Sequence, residues 1–421
     1  MKEKLFEGSE ELKPRVVVTG YGVVTPIGNN VTDFWNSLLN GKSGAGKILS
    51  FNTKEFATKI AAEVRGIKKE ENLDGFAQFA LSAALEAWRN SGLESYQIDP
   101  YRVGVLVGSS NGGEQYVQDN YLAYIKHGIK EIDANKFVGS MINYVPAMLA
   151  KRFGVQGVSY ALSTACATGV NTVGESVRII QDGIADVMVA GGTEDGIKEL
   201  NVAGLARINA MTRRNEEPTM ASRPFDRDRD GFLLGAGAGI IILESLEHAQ
   251  KRNAPIYAEI VGYGCNTDSY HITAPNPEGI MPALAMHQAL DEANIAPNEI
   301  DYINAHGTGT IYNDIMENNA IHRAFGEYGK RVPINAIKSL TGHMLGASGT
   351  VEIISTILSM QHNIIPRTVN CDHLDEEVSL NIIREENFNC VIDVAMSNSF
   401  GFGGNNVSIV LKKYDMNGEN A

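Results

Sequence analysis

Short apolar runs of buried-strand length alternate along this chain with amphipathic stretches of helical period. Residues 16–19, 103–107 and 186–190 are runs of the first kind, and further strands are expected at 239–243, 257–263, 302–304, 391–396 and 407–411. Residues 31–39 follow Asn30, a good helix-capping residue, and stop at Gly41, which predicts a helix there. Between 75 and 90, Phe76, Phe79, Ala80, Ala83, Ala87 and Trp88 recur at helical spacing and end before Gly92. Later helices fit 281–293, 314–325 and 350–361. Such alternation predicts an α/β fold with helices layered over sheets. The order of elements occurs twice: VVVTGYG at 16–22 opens the first series and IYAEIVGYG at 256–264 the second. Each is followed by a Pro/Gly-rich loop, an amphipathic helix and another strand. The expected organisation is a loose tail over 1–13, a first half over 14–255 and a second over 256–421. A ligand pocket is expected where the halves meet.

With 421 residues, 43% of them apolar, the chain can bury a large core. No apolar run reaches the roughly 18 residues of a membrane-spanning helix, and the polar start MKEKLFEGSEELKP lacks the apolar segment of a secretory signal. A cytoplasmic protein without membrane partners is expected. The four cysteines (Cys166, Cys265, Cys371 and Cys390) show neither metal-ligand spacing nor a disulfide framework, which fits a reducing compartment. The formal charge of −14 argues against nucleic acid as a partner, because phosphate contacts need a basic surface. An acidic protein partner would need a local basic patch.

Four loops carry candidate chemistry. In Ser163-Thr164-Ala165-Cys166-Ala167-Thr168-Gly169, small residues flank a cysteine between an apolar stretch (158–162) and an expected helix (170–181). A strand–turn–helix of this kind can expose a nucleophile. The helix N-terminus would lower the thiol pKa and hold an oxyanion. Read alone, the same segment also fits a buried core cysteine. Asn304-Ala305-His306-Gly307-Thr308-Gly309-Thr310 places a histidine just past an expected strand, where α/β ligand sites form. Lys338-Ser339-Leu340-Thr341-Gly342-His343 places a second histidine in a polar loop before a small-residue helix. Each histidine alone fits a capping or core role equally well. Asn398-Ser399-Phe400-Gly401-Phe402-Gly403-Gly404-Asn405 sets two aromatics in a Gly-rich turn, either a gate to an apolar pocket or a packed β-turn. Together, one thiol, two imidazoles and a lysine on strand-end loops suit one chemistry. A thiolate accepts an acyl group from a thioester, and two imidazole N–H donors stabilise the enolate formed when a malonyl thioester loses CO2.

On these residues the chain resembles the β-ketoacyl-acyl-carrier-protein synthases of the elongating Cys-His-His type (the KAS II type) in the thiolase-like superfamily. The resemblance runs from about Arg15 to Lys412, with 140 residues from Cys166 to His306 and 37 more to His343. It implies a five-layered αβαβα fold of two similar halves, a dimer, and catalysis with no metal or organic cofactor. The phosphopantetheine arm arrives on an acyl carrier protein. It also implies roles. Cys166 is the acylated nucleophile, and His306 and His343 bind the malonyl thioester carbonyl. Lys338 holds their network with Glu317 as ion partner. The backbone N–H groups of Cys166 and Phe402 form the oxyanion hole, and Phe402 gates the pocket with Phe400 beside it. Thr273, Thr308 and Thr310 line the malonyl side. A Cys-His-Asn set would mark chain-initiating synthases, and a cysteine in the C-terminal Gly-rich turn would mark thiolases; neither is present.

Two features depart from long-chain elongators. Asn111 and Glu114, in GSSNGGE, fall where those enzymes place apolar pocket residues. Burying either against a saturated chain is costly without a hydrogen bond, which points to an oxygenated, unsaturated or shorter chain. Residues 313–314 and 332–340 also resemble ketosynthase subunits of type II polyketide synthases, which act beside a cysteine-less chain-length factor. A homodimer and such a heterodimer are thus the two expected assemblies. Carrier-protein docking is expected at Lys68, Lys69, Arg207, Arg213 and Arg214, which read equally as solvated surface charge.

Overall fold

The computed structural model describes residues 13–67 and 72–415. Ten strands form one mixed sheet. In chain order they are β1 Val16–Val24, β2 Val103–Gly108, β3 Ser159–Tyr160, β4 Val187–Glu194, β5 Gly237–Ser245, β6 Ala258–Thr267, β7 Tyr302–Asn304, β8 Ile334–Asn335, β9 Val394–Gly401 and β10 Asn405–Lys412. Their spatial order is β8-β7-β9-β10-β6-β1-β5-β4-β2-β3. Read outward from the middle, the first five strands of the chain run β1-β5-β4-β2-β3 and the last five β6-β10-β9-β7-β8. The repeat glimpsed at 16–22 and 256–264 is therefore a repeat of topology. The halves join where Val16–Val18 pair antiparallel with Ala258–Ile260.

Six helices complete the frame: α1 Gly75–Asn90, α2 Glu114–His127, α3 Thr168–Gln181, α4 Ile280–Ala293, α5 Ile311–Phe325 and α6 Ser348–His362. α1 packs on β1 and β5, and α4 on β6 and β10. α3 and α6 lie between the two half-sheets and touch both. The layering is αβαβα. A helix enclosed on all sides has no polar face, and Ser348–Met360 of α6 are accordingly all buried. The central pair packs closely because Gly169 has no side chain; a Cβ there would sit 2.6 Å from Thr350 Oγ1 and 2.8 Å from Thr350 N.

Helix α2 was not foreseen from the pattern. None of its residues is buried, so no periodic apolar stripe marks it. It instead exposes Val117, Tyr121, Leu122 and Ile125, next to exposed Ile129, Phe137 and Val138. β3, at the sheet edge, is only two residues long and exposed, shorter than the apolar stretch 158–162 implied.

Candidate active site

Cys166 sits in a tight turn, Ala165–Ala167, that feeds α3. The turn requires φ of +50° at Ala165, a conformation costly for a residue with a Cβ and common where function demands it. The second half repeats the device: Leu345, at φ +45°, opens the turn Leu345–Ala347 ahead of α6. The buried Glu194 at the end of β4 links the segments beside both turns, accepting from Ser110 N (2.8 Å), Asn111 N (3.2 Å) and Gly346 N (3.2 Å). Burial pushes its carboxyl up to about 7 against these donors.

Around Cys166 the fold gathers residues remote in sequence. His343 Nε2 lies 3.0 Å from Cys166 Sγ. The His306 ring is edge-on to His343 with centroids 5.4 Å apart, and Phe400 is 5.8 Å beyond it. The backbone N–H groups of Phe402 and Cys166 both reach the sulfur. Cys166, His306, His343, Phe400, Phe402, Thr273, Thr308 and Thr310 all line one cavity of about 230 Å³. The Thr308 and Thr310 hydroxyls are 2.9 Å apart, and Thr273 lies at the exposed mouth, its backbone N–H donating to His271 Nδ1.

Lys338 sets the state of His306. Its Nζ stands 3.2 Å from His306 Nδ1 and donates to the His306 carbonyl at 2.6 Å. An ammonium has donors only, so Nδ1 must accept and the ring proton sits on Nε2. The third Lys338 hydrogen bond goes to Glu352. This corrects the pairing expected with Glu317. Glu317 instead accepts the backbone N–H groups of His306 (2.8 Å) and Gly307 (2.8 Å), which fixes the loop rather than the lysine. Glu352 lies on α6, the buried helix that passes over Lys338. The only sequence signal for it was a lone carboxylate within an otherwise uncharged helix. Burial pushes Glu352 up to about 7 while the adjacent Lys338 ammonium acts against that rise. We expect Glu352→Ala to lower unfolding free energy by about 3–5 kcal/mol, because it strands a buried ammonium. Glu317→Ala leaves that pair intact. Chemical denaturation of both variants checks this: if Glu317→Ala is the more damaging and Glu352→Ala is mild, the reassignment fails.

Beside the helix N-terminus, Cys166 is nonetheless not acidic. Burial raises the thiol to about 11, with Lys338 and the Phe402 N–H pulling it down only in part. The resting group is a thiol, and its proton must leave as the acyl group arrives. Both imidazoles are held well below 6.5, by burial first and by Lys338 second. They are therefore neutral at neutral pH.

The remaining expected residues divide. Asn111 is exposed, at the start of the loop before α2 and outside the cavity. Arg207 and Arg213 are exposed and Arg214 half-buried. Arg213 reaches Asn209 Oδ1 at 2.8 Å, and Arg214 comes within 3.8 Å of Asp230. Asn209, Asp230 and Ile208 line the cavity mouth, so this basic group rims it. Lys68 and Lys69 lie outside the described residues.

Known proteins give the same picture. Residues 13–249 match the beta-ketoacyl synthase N-terminal domain and residues 257–372 the beta-ketoacyl synthase C-terminal domain. The 3-oxoacyl-[acyl-carrier-protein] synthase 2 of Coxiella burnetii is 43% identical over 409 residues, covering 95% of this chain and 99% of that one. The enzyme of the same name from Vibrio cholerae is 41% identical over 415 residues, with 95% and 99% covered. Among solved structures, a type II polyketide synthase acyl-carrier protein in complex with its ketosynthase bound to the hexaketide matches with TM-score 0.91. Identity there is 34%, over 96% of this chain and 100% of that one. The ishigamide ketosynthase/chain length factor matches with TM-score 0.90, 31% identity and the same coverage. With both halves matched and relatives aligned nearly end to end, the chain belongs to the beta-ketoacyl synthase family.

Proposed function

We propose that the protein is an acyltransferase catalysing decarboxylative condensation of a Cys166-bound acyl group with malonyl-acyl carrier protein, yielding β-ketoacyl-acyl carrier protein and CO2. The observation that carries this is the contact of His343 Nε2 with Cys166 Sγ at 3.0 Å, with the His306 ring beside it. In the first step the sulfur attacks the acyl thioester carbonyl, its proton passes by way of His343 to the carrier's sulfur, the bond from that sulfur to the carbonyl carbon breaks, and the carrier's thiol departs. The N–H groups of Cys166 and Phe402 face the oxyanion. In the second step malonyl thioester binds with its carbonyl oxygen toward the two ring N–H donors. The bond to its carboxylate breaks, CO2 leaves, and the electron pair moves onto that oxygen as an enolate. The enolate carbon then attacks the acyl carbonyl on Cys166. A C–C bond forms, the bond from the carbonyl carbon to Cys166 Sγ breaks, and the released thiolate takes up a proton from solvent to restore the resting thiol. Two neutral donors suit a developing enolate. The substrate supplies its own electron sink, so no resident cofactor is invoked.

Names of the relatives favour chain elongation in fatty acid synthesis. The solved ketosynthases of polyketide assembly favour a second reading, the ketosynthase subunit of a type II polyketide synthase. In either pathway an acyl carrier protein is the partner, and Arg207, Arg213 and Arg214 at the mouth supply local positive charge on an acidic chain. The exposed apolar residues of α2 and its neighbours, with edge strand β3, fit a second copy of the chain in a homodimer; a chain-length-factor paralogue is the alternative occupant. We place the protein in the cytoplasm. All four cysteines are unpaired, and among the described residues no helix is long and apolar enough to cross a membrane.

The test is incubation with an acyl-carrier protein and then malonyl-carrier protein, read by intact mass. The expected result is an acyl adduct on Cys166 that disappears as β-ketoacyl-carrier protein and CO2 form together. Release of free fatty acid without a β-keto product would mark a thioester hydrolase and sink the proposal.

A further inference from the structure

The nucleophile turn is strained at Ala165, so its surroundings must hold its shape. Local hydrogen bonds supply part of that hold. The Thr164 carbonyl accepts from Ala167 N at 3.1 Å, and Thr164 N donates to Thr168 Oγ1 at 2.9 Å. The Ala165 carbonyl accepts from Thr168 Oγ1 at 2.8 Å and from Ser110 Oγ at 3.0 Å. The Thr164 side chain is tied from farther away. Asn171, one turn into α3, donates from Nδ2 to Thr164 Oγ1 at 2.7 Å. Asn171 Oδ1 in turn accepts from the Tyr263 hydroxyl at 2.6 Å. Tyr263 stands on β6, in the second half of the chain.

The sequence of α3 makes room for this tether. Asn171, Gly174, Glu175 and Arg178 fall at i, i+3, i+4 and i+7, on one side of the helix. The Tyr263 ring lies against that side. A Cβ on Gly174 would come within 2.3 Å of Tyr263 Cε2, and the Arg178 guanidinium carbon sits 4.6 Å from the ring centroid. Glu175 Oε1 is 3.2 Å from the hydroxyl and is already paired with Arg178 at 2.9 Å. The nearer Asn171 therefore takes the phenol's single proton. Burial pushes the phenol pKa up, so the group stays a donor. Asn171 and Tyr263 are both buried, where water does not compete for their bonds. Tyr21, in the matching Gly-Tyr-Gly of β1, bonds Gln361 near the end of α6. Of the two tyrosines, only Tyr263 reaches the start of a central helix.

We propose that Asn171 and Tyr263 are positioning residues for acyl transfer: they hold Thr164, and through it they aim the Cys166 sulfur and N–H at the acyl carbonyl. The inference rests on the condensing reaction proposed above. Acylation of Cys166 uses the turn; loss of CO2 from a malonyl thioester uses the two imidazoles. Neither Asn171 nor Tyr263 lines the cavity, so the second process does not depend on them.

The test compares the full chain with Asn171→Ala, Tyr263→Phe, their double variant, Thr164→Val and Thr164→Ser. Acylation of Cys166 is followed by intact mass, CO2 release from malonyl-carrier protein separately, and folding by thermal melting. Asn171→Ala and Thr164→Val are expected to slow acylation about tenfold and Tyr263→Phe about threefold, with CO2 release within about twofold of the parent. Thr164→Ser keeps the acceptor and should acylate at the parental rate. The double variant should be no slower than Asn171→Ala, because a single chain of contacts is cut twice. Parental acylation rates in Asn171→Ala and Tyr263→Phe overturn the inference. So do equal losses of acylation and CO2 release, the mark of a general packing role, and multiplying losses in the double variant. Should Asn171→Ala fail to fold, Tyr263→Phe, which keeps the ring against Gly174, decides the point. A parent chain that is never acylated overturns the condensing reaction itself.

Discussion

Cys166→Ala is expected to stop condensation, by a factor on the order of 10⁴ or more, while malonyl-thioester decarboxylation persists. Both halves of that statement follow from the geometry. No other cysteine lines the cavity, so nothing replaces the sulfur as acyl carrier. Two backbone N–H groups and the field of Lys338 serve the sulfur's negative charge against burial and the Glu194 carboxylate, and an imidazole 3.0 Å away can take the proton. A thiol held near 11 gains little reactivity from its resting ionisation. Its activation comes from those contacts at the moment of attack. Decarboxylation needs only the two ring donors, and alanine at 166 leaves them in place. Separate measurement of CO2 release and β-keto product distinguishes the steps. Continued β-ketoacyl formation by the alanine variant would end the proposed mechanism.

His306→Ala and His343→Ala are each expected to slow decarboxylation by about 10²–10³, the usual effect of removing one donor from a developing oxyanion. The two should differ in the first step. His343 touches the sulfur and His306 does not, so His343→Ala also slows acylation of Cys166 whereas His306→Ala leaves it nearly unchanged. The pH dependence follows from the same burial. The active form of each ring is neutral, and each folded pKa lies well below 6.5. The decarboxylation rate should therefore be flat from pH 6.5 upward through neutrality. It should fall only on acidification, as protons reach rings that resist them. An acid limb centred at 6.5 would show that the rings are solvated, and equal acylation defects in both variants would show that the sulfur contact has been misread.

The residues proposed for catalysis were legible because each carries its reason locally. Cys166 stands among small residues ahead of a helix, and His306 at the end of a strand in a Gly/Thr loop. His343 follows Lys338 by five residues in a second such loop. The helices at 31–39 and 75–90 were equally plain, since each buries one face and its capping residue precedes it. Helix α2 was hidden because its apolar residues point outward, where no intramolecular core imposes a period.

Local pattern, then, determined most of the strands and helices, α2 excepted, that the series occurs twice, and which side chains are candidates for the chemistry. That information is short-range: it depends on neighbours within one or two helical turns. Long-range approach decided the rest. Lys338 chose Glu352 over Glu317 because α6 runs through the middle layer and brings its one carboxylate against the lysine, while α5 turns Glu317 toward backbone N–H groups. The pKa of Cys166 was likewise raised by enclosure between the two half-sheets. Burial and partner choice are properties of packed elements, and no stretch of residues states them until the chain has closed on itself.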